Sequence, residues 1–236
     1  MNALLTPLNQ FSLSPEGSVS TQVLEALRAT ILFGELKPGR RISEQEIADL
    51  MQISRQPVRE AFIRLAAEGL VEIRPQRGTF VSKISTSEVV DSRFVRESVE
   101  ADLVRLAAHR MTPATAARLE EIVALQRAEG PGDPLRFMAL DEELHQVLAE
   151  AAGKPQIWDF LQKLKSQLDR VRFLVAVDFP IESLIAQHAA IVRAVAARDE
   201  AKAEGAMRHH LRQILQDLPR IAENYPDYFR VGSPTG

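Results

Sequence analysis

The spacing of breaks changes near residue 86, and that change commits the chain to two differently built parts. Before it the apolar positions come in short runs. "STQVLEALRATILFG" has Val23, Leu24, Leu27 and Ile31 at helical spacing and stops at Gly34. "LKPGRRI" reads as a turn. "SEQEIADLM" opens with Ser43 and has Glu46 three residues on, the reciprocal cap that marks a helix start. Ser54 is placed to cap "RQPVREAFIRLAAE"; Pro57 lies in the first turn, where its missing N–H is harmless, and Gly69 ends the run. "LVEIR" and "GTFVSKI" then alternate as strands around "PQRG". From about residue 87 the period is helical throughout. Breaks at "TP" (112–113), "EGPGDP" (129–134), "GKP" (153–155), "DFP" (178–180) and Asp199 divide it into about six helices on short loops. That pattern predicts an antiparallel all-α bundle.

Three helices and a two-stranded hairpin within about 65 residues is the order of a winged helix-turn-helix. The expected fold is therefore mainly α: an N-terminal winged helix-turn-helix (three helices plus β-hairpin) over 19–84, then an all-α antiparallel helical bundle over 87–226. A flexible arm is expected at 1–18 and a tail at 227–236. There is no cysteine, which excludes a disulfide scaffold, a thiolate zinc site and a cysteine nucleophile, and suits a cytoplasmic protein. No apolar run approaches the roughly 20 residues that span a bilayer, so no membrane partner is expected. The net charge of −3 argues against a general polyanion binder. Residues 1–86 carry ten Lys/Arg against nine Asp/Glu, so a nucleic-acid site must be a local patch there.

The third helix supplies such a patch. In helix-turn-helix folds the later helix presents its N-terminal residues to base edges; here these are Ser54, Arg55, Gln56 and Arg59. Arginine suits guanine O6 and N7, and glutamine suits adenine. Arg74, Arg77 and Lys83 mark the wing, where they would meet phosphates or the minor groove. Any one of these would pass as a solvated surface residue; their clustering where such a fold meets DNA favours a double-stranded DNA partner.

The second part breaks the rule that charges take the wet face of a helix. In "FMALDEELHQVLAEAAG", Asp141 and His145 share a face with Phe137, Leu144 and Leu148, while Glu142, Glu143, Gln146 and Glu150 lie opposite. His188 is flanked by Leu184, Ile185, Ile191, Val192 and Val195, and His210 lies near Ala203, Met207 and Ile214; His209 points away. Arg96 and Glu100 share an apolar face with Val99, Leu103 and Ala107. A single inward histidine is usually a satisfied core residue. Three with a carboxylate, on three helices of one bundle, suit a metal site. Three neutral nitrogens and one oxygen fit a divalent transition ion, zinc first and nickel, manganese or iron next. A plain Asp–His hydrogen bond within the helix is the other reading.

The stretch "GELKPGRRISEQEIADLMQISRQPVREAFIRLAAEGLVEIRPQRGTFV" resembles the winged helix of the GntR family of bacterial transcription regulators, with "SR-PVREA", "L--EGLV" and "RGTFV" in register. The resemblance implies DNA contacts at Gln45, Arg55 and Arg59 and around Gly78 and Thr79 in the wing. Gln45 stands where relatives often have Arg, and Gln52 where the turn usually has Gly. Residues from about 90 to 225 resemble the helical FCD domain of the FadR-like branch. There the pattern "D---H … H … H" marks metal ligands and falls on Asp141, His145, His188 and His210. "R---E" falls on Arg96 and Glu100 and is associated with effector binding.

The resemblance implies a homodimeric regulator, a repressor by expectation, that binds a palindromic operator. It would answer to a small organic or sugar acid held at the metal site. A metalloenzyme, hydrolase or lyase, is the alternative from another class, though no HExxH-like motif places a general base beside the ligands and no catalytic residue is assigned. A metal-sensing repressor is the third reading.

Overall fold

A computed structural model describes Leu8 and residues 13–230; most of the expected arm, and residues 231–236 of the expected tail, lie outside these. The chain forms two compact units: the residues up to Thr86 with those from Asn224 onward, and Ser87–Glu223.

The first unit contains α1 (Val19–Leu32), β1 (Arg41–Ile42), α2 (Glu44–Met51), α3 (Arg55–Ala67), β2 (Val71–Arg74) and β3 (Gly78–Val81). Its core joins Val23, Leu24, Leu27 and Ile31 of α1 to Ile47, Val58, Phe62, Leu65 and Val81. The Ser43 cap forms, accepting the Glu46 N–H at 3.0 Å. Ser54 occupies the N-cap position of α3 with extended backbone, but its side chain makes no cap bond. Gln52 ends α2 in the left-handed region at φ 53°. The hairpin pairs Val71 with Val81 and Arg74 with Gly78. A third strand was not expected: Arg41 and Ile42, read as part of a turn, pair antiparallel with Phe80 and Thr79, giving the order β1-β3-β2. Two residues are too few for a period-2 pattern to register. The expected tail also differs from 227 to 230. Pro226–Tyr228 is a 3₁₀ turn, Phe229 is buried, and it bridges in parallel to Ile84.

The second unit is all helix: α4 (Thr86–Arg110), α5 (Pro113–Glu129), α6 (Pro134–Ala151), α7 (Pro155–Leu164), α8 (Ser166–Asp178), α9 (Glu182–Ala196), α10 (Glu200–Arg212) and α11 (Ile214–Asn224). Among the described residues that is eight helices where about six were expected. The extra breaks fall at Lys165 and Gln213, neither of which is a helix breaker. At Lys165 the buried Nζ lies 2.7 Å from both Glu142 of α6 and Asp169 of α8. Caps form as the sequence suggests at Thr112, Asp133 and Asp199. The core joins Val104 and Ala107 of α4, Leu119 and Ile122 of α5, Phe137, Leu140 and Leu144 of α6, Ile191 and Val195 of α9, and Ala203 and Met207 of α10. No single helix among the described residues is long and apolar enough to cross a membrane.

Candidate metal centre and nucleic-acid interface

Helices α6, α9 and α10 turn Asp141, His145, His188 and His210 into the core of the second unit. One ligand atom from each lies within 4.8 Å of the others, and all four residues are buried. His209, one position from His210, is exposed. The rings are packed: Trp158 stacks on His145 at 5.8 Å between centroids, and Phe137 on His188 at 6.3 Å.

The hydrogen bonds around the rings decide where the lone pairs point. His188 Nδ1 lies 2.9 Å from Gln126 Oε1, and His210 Nδ1 lies 3.0 Å from Gln187 Oε1. An amide oxygen only accepts, so each Nδ1 is the donor and each Nε2 carries the lone pair. His145 Nδ1 lies 2.5 Å from Glu100 Oε2, within ion-pair distance but without hydrogen-bond alignment. Both ring nitrogens of His145 and the Nε2 of His188 are buried without a hydrogen-bond partner. His188 Nε2 faces Asp141 Oδ1 at 3.2 Å. A neutral imidazole and a carboxylate there oppose lone pair to lone pair, an arrangement that a cation between them relieves. Burial lowers the proton affinity of His188 and His210 well below the ordinary value, and the neighbouring imidazoles push the same way. These donors fit a divalent ion, and Gln126, Gln187 and Glu100 fit the outer partners that orient metal-bound imidazoles.

Asp141 does not bond to His145, the alternative left open by spacing. Its Oδ2 takes a hydrogen bond from Arg172. Arg172 also reaches Glu142 at 2.8 Å and Asp169 at 2.9 Å, so Glu142, expected on the wet face, is half-buried in an ion network. Arg96 Nε donates to Glu100 Oε1 at 2.6 Å, while its Nη2 is buried with no partner. Burial works against the Glu100 carboxylate, but Arg96 and His145 outweigh it and hold the group well below the usual carboxylate range. Both Glu100 oxygens are thus engaged, one by Arg96 and one by His145. Glu100 was expected beside Arg96 in effector binding; its place is between Arg96 and a metal-ligand candidate. A cleft of about 520 Å³, part of it open to solvent, is lined by Arg96, Asp141, Arg172 and His210 among others.

The nucleic-acid candidates lie together on the first unit. Arg55, Gln56 and Arg59 project from the first turns of α3 and are exposed, as are Ser54 before it and Gln45 on α2. Arg74 and Arg77 are exposed on the wing, and Gly78 and Thr79 are half-buried. Gly78 has φ 107°, and a Cβ there would come within 2.8 Å of Arg41 Nε, so the wing turn requires glycine. Acidic partners hold several of these side chains: Glu44 pairs with Arg55 at 3.0 Å, Glu60 with Gln56, Asp49 with Gln45 and Glu72 with Arg74.

Gln126, Gln187 and Arg172 were not among the sequence candidates. Gln126 was detectable, since it recurs with Leu119, Ile122 and Val123 on the inner face of α5. Arg172 had no comparable signal.

Residues 19–81 match the model of bacterial regulatory proteins, gntR family, and residues 91–213 match that of the FCD domain. The HTH-type transcriptional repressor RspR of Escherichia coli (strain K12) is 38% identical over 220 residues, 92% of this chain and 96% of that protein. The solved structure of E. coli McbR/YncC superposes with a TM-score of 0.74 at 20% identity, covering 89% of this chain and all (100%) of that one. A putative transcriptional regulator GntR from Rhodococcus sp. RHA1 superposes with a TM-score of 0.72 at 26% identity, covering 86% and 99%.

Proposed function

The chain belongs to the gntR family of bacterial regulatory proteins and is a transcriptional regulator with an FCD domain, and from that premise we propose that it is a homodimeric repressor controlled by a small carboxylic acid at a metal site. The families and relatives are regulators, which sets aside the hydrolase or lyase alternative. Repression as the sign is supported by the name of the E. coli relative.

A two-fold dimer would read a palindromic operator, because operator symmetry mirrors protein symmetry. The exposed Phe94, Phe160 and Leu164 of the helical unit give a second copy apolar surface to cover. Arg55, Gln56 and Arg59 would read bases, and Arg74 and Arg77 would meet the backbone.

The observation that carries the effector reading is Arg96. Its unpartnered, buried Nη2 belongs to a side chain lining the same cleft as Asp141 and His210. Asp141, His145, His188 and His210 would hold the ion, with zinc the first candidate. A bound ion supplies a Lewis-acid contact for a ligand oxygen. Arg96 would take the carboxylate, since guanidinium matches it in two-pronged geometry and stays charged when buried. Response requires that the acid favour one of two arrangements; a coupling of about 1–3 kcal/mol is typical. Helix α4, which carries Arg96, begins within a few residues of β3 in the wing.

Fluorescence anisotropy on an operator fragment, with and without zinc and organic acids, tests the reading. At saturating zinc, Arg96→Ala is expected to keep DNA binding and lose the response to acid, with zinc affinity lowered because Glu100 beside His145 loses its counter-charge. An undiminished response removes Arg96 from the mechanism. Modulation by zinc alone, with no further effect of any acid, establishes metal sensing instead.

A further inference from the structure

The unexpected strand β1 brings a cation to the wing. In the order β1-β3-β2, Arg41 pairs with Phe80 and Phe80 with Glu72, while Gly78 pairs with Arg74. Paired residues of an antiparallel sheet share a face, and so do alternate residues of one strand. Arg41, Glu72, Arg74, Gly78 and Phe80 therefore lie on one face, whereas Ile42, Val71 and Val81 point the other way and are buried. Arg74 is already engaged on that face. It stacks on the Phe80 ring at 4.7 Å and bonds to Glu72 at 2.8 Å.

Arg41 has no such partner. Its guanidinium leans along the sheet to the wing turn and covers the side of Gly78 where a side chain would stand. A Cβ there would meet Arg41 Nε at 2.8 Å, Nη2 at 3.4 Å and Cζ at 3.5 Å. Arg41 is exposed, and among the described residues its side chain makes no hydrogen bond or ion pair. By contrast Arg40 is held by Glu46 at 3.3 Å and Arg55 by Glu44 at 3.0 Å. Arg41 can thus meet DNA without first leaving a carboxylate.

The geometry favours the minor groove over a phosphate. With no side chain at Gly78, the wing backbone can approach closely. A guanidinium is planar and more weakly hydrated than an ammonium, so it loses less on entering a narrow groove. Narrow minor grooves belong to A·T tracts, whose negative potential attracts arginine. Resting on the operator-binding reading above, we propose that Arg41 is a specificity-determining residue: it enters the minor groove beside the wing and favours A·T pairs there.

Selection from a random duplex library by the full chain tests this without a known operator. Wild type is expected to enrich a two-fold site with A·T pairs beside the position that Arg59→Ala relaxes. Arg41→Ala should enrich the same site without the A·T pairs, and Arg40→Ala should keep them. On the selected duplex, changing those pairs to G·C should weaken wild type about tenfold and leave Arg41→Ala nearly unaffected. The variant should fold, because β1 is held by backbone bonds: Gly39 N–H to the Val81 carbonyl at 2.8 Å and Val81 N–H to the Arg40 carbonyl at 2.9 Å. An A·T preference absent from wild type, surviving in Arg41→Ala, or removed equally by Arg40→Ala overturns the inference. So does equal weakening of Arg41→Ala on all duplexes, which marks a phosphate contact only. Failure of wild type to enrich any sequence removes the operator-binding reading, and this inference with it.

Discussion

Replacing Gln126 by leucine separates metal affinity from stability. The Gln126 amide is fully buried and accepts from His188 Nδ1 at 2.9 Å. Leucine leaves that N–H without an acceptor, at a cost of about 1–3 kcal/mol. The same change deletes the Gln126 Nε2 group, which is itself buried without a partner, and an orphan amide costs about as much. The two nearly cancel, so Gln126→Leu should alter the stability of metal-free protein by no more than about 1 kcal/mol. Metal affinity has no such offset. An imidazole that loses its outer partner loses its tautomer and orientation, which lowers affinity by roughly 10–100-fold. Zinc competition against a chromophoric chelator reads the affinity, and urea unfolding in excess chelator reads the stability. Gln187→Leu is the companion: it should lower zinc affinity similarly but also destabilise, because its Nε2 has a partner in Ser183. Unchanged zinc affinity in Gln126→Leu would refute the lone-pair assignment, as would an affinity loss matched by an equal loss of metal-free stability.

Arg59→Ala should cost about 1–3 kcal/mol of operator binding and relax specificity at one position, whereas Arg77→Ala should weaken all sequences alike and flatten the salt dependence in anisotropy titrations. Gln52→Gly should raise stability by about 1 kcal/mol in urea unfolding, since Gln52 is exposed at φ 53° and glycine removes the left-handed penalty. The hydrogen bond from Arg212 holds Glu97 below the usual carboxylate range, with Arg208 and Arg93 helping against burial. Its contribution is present above the unfolded carboxylate range and is lost as pH falls below it, so Glu97→Gln should flatten the acid limb of the stability–pH curve below about pH 4.5.

Asp141 and His145 could be placed inward from a four-residue spacing among Phe137, Leu144 and Leu148, and His210 could be told from His209 by the same wheel. Helical phase depends only on neighbours within one or two turns, and caps such as those at Ser43, Thr112 and Asp133 are equally local. That is why the three-helix-plus-hairpin order, the helical second part and the inward polar residues were readable directly. What each inward group touches was not. The Glu100 oxygens divide between Arg96 and His145, and Asp141 divides between Arg172 and His188. The Nε2 lone pairs of His188 and His210 are set by Gln126 and Gln187. The contact of Lys165 with Glu142 and the pairing of Phe229 with Ile84 belong to the same class. Each depends on groups brought together from different elements, whose energies appear only when the core closes and every buried donor and charge must find a partner. The sequence by itself determined which residues leave the water; the tertiary structure alone decided what they meet there.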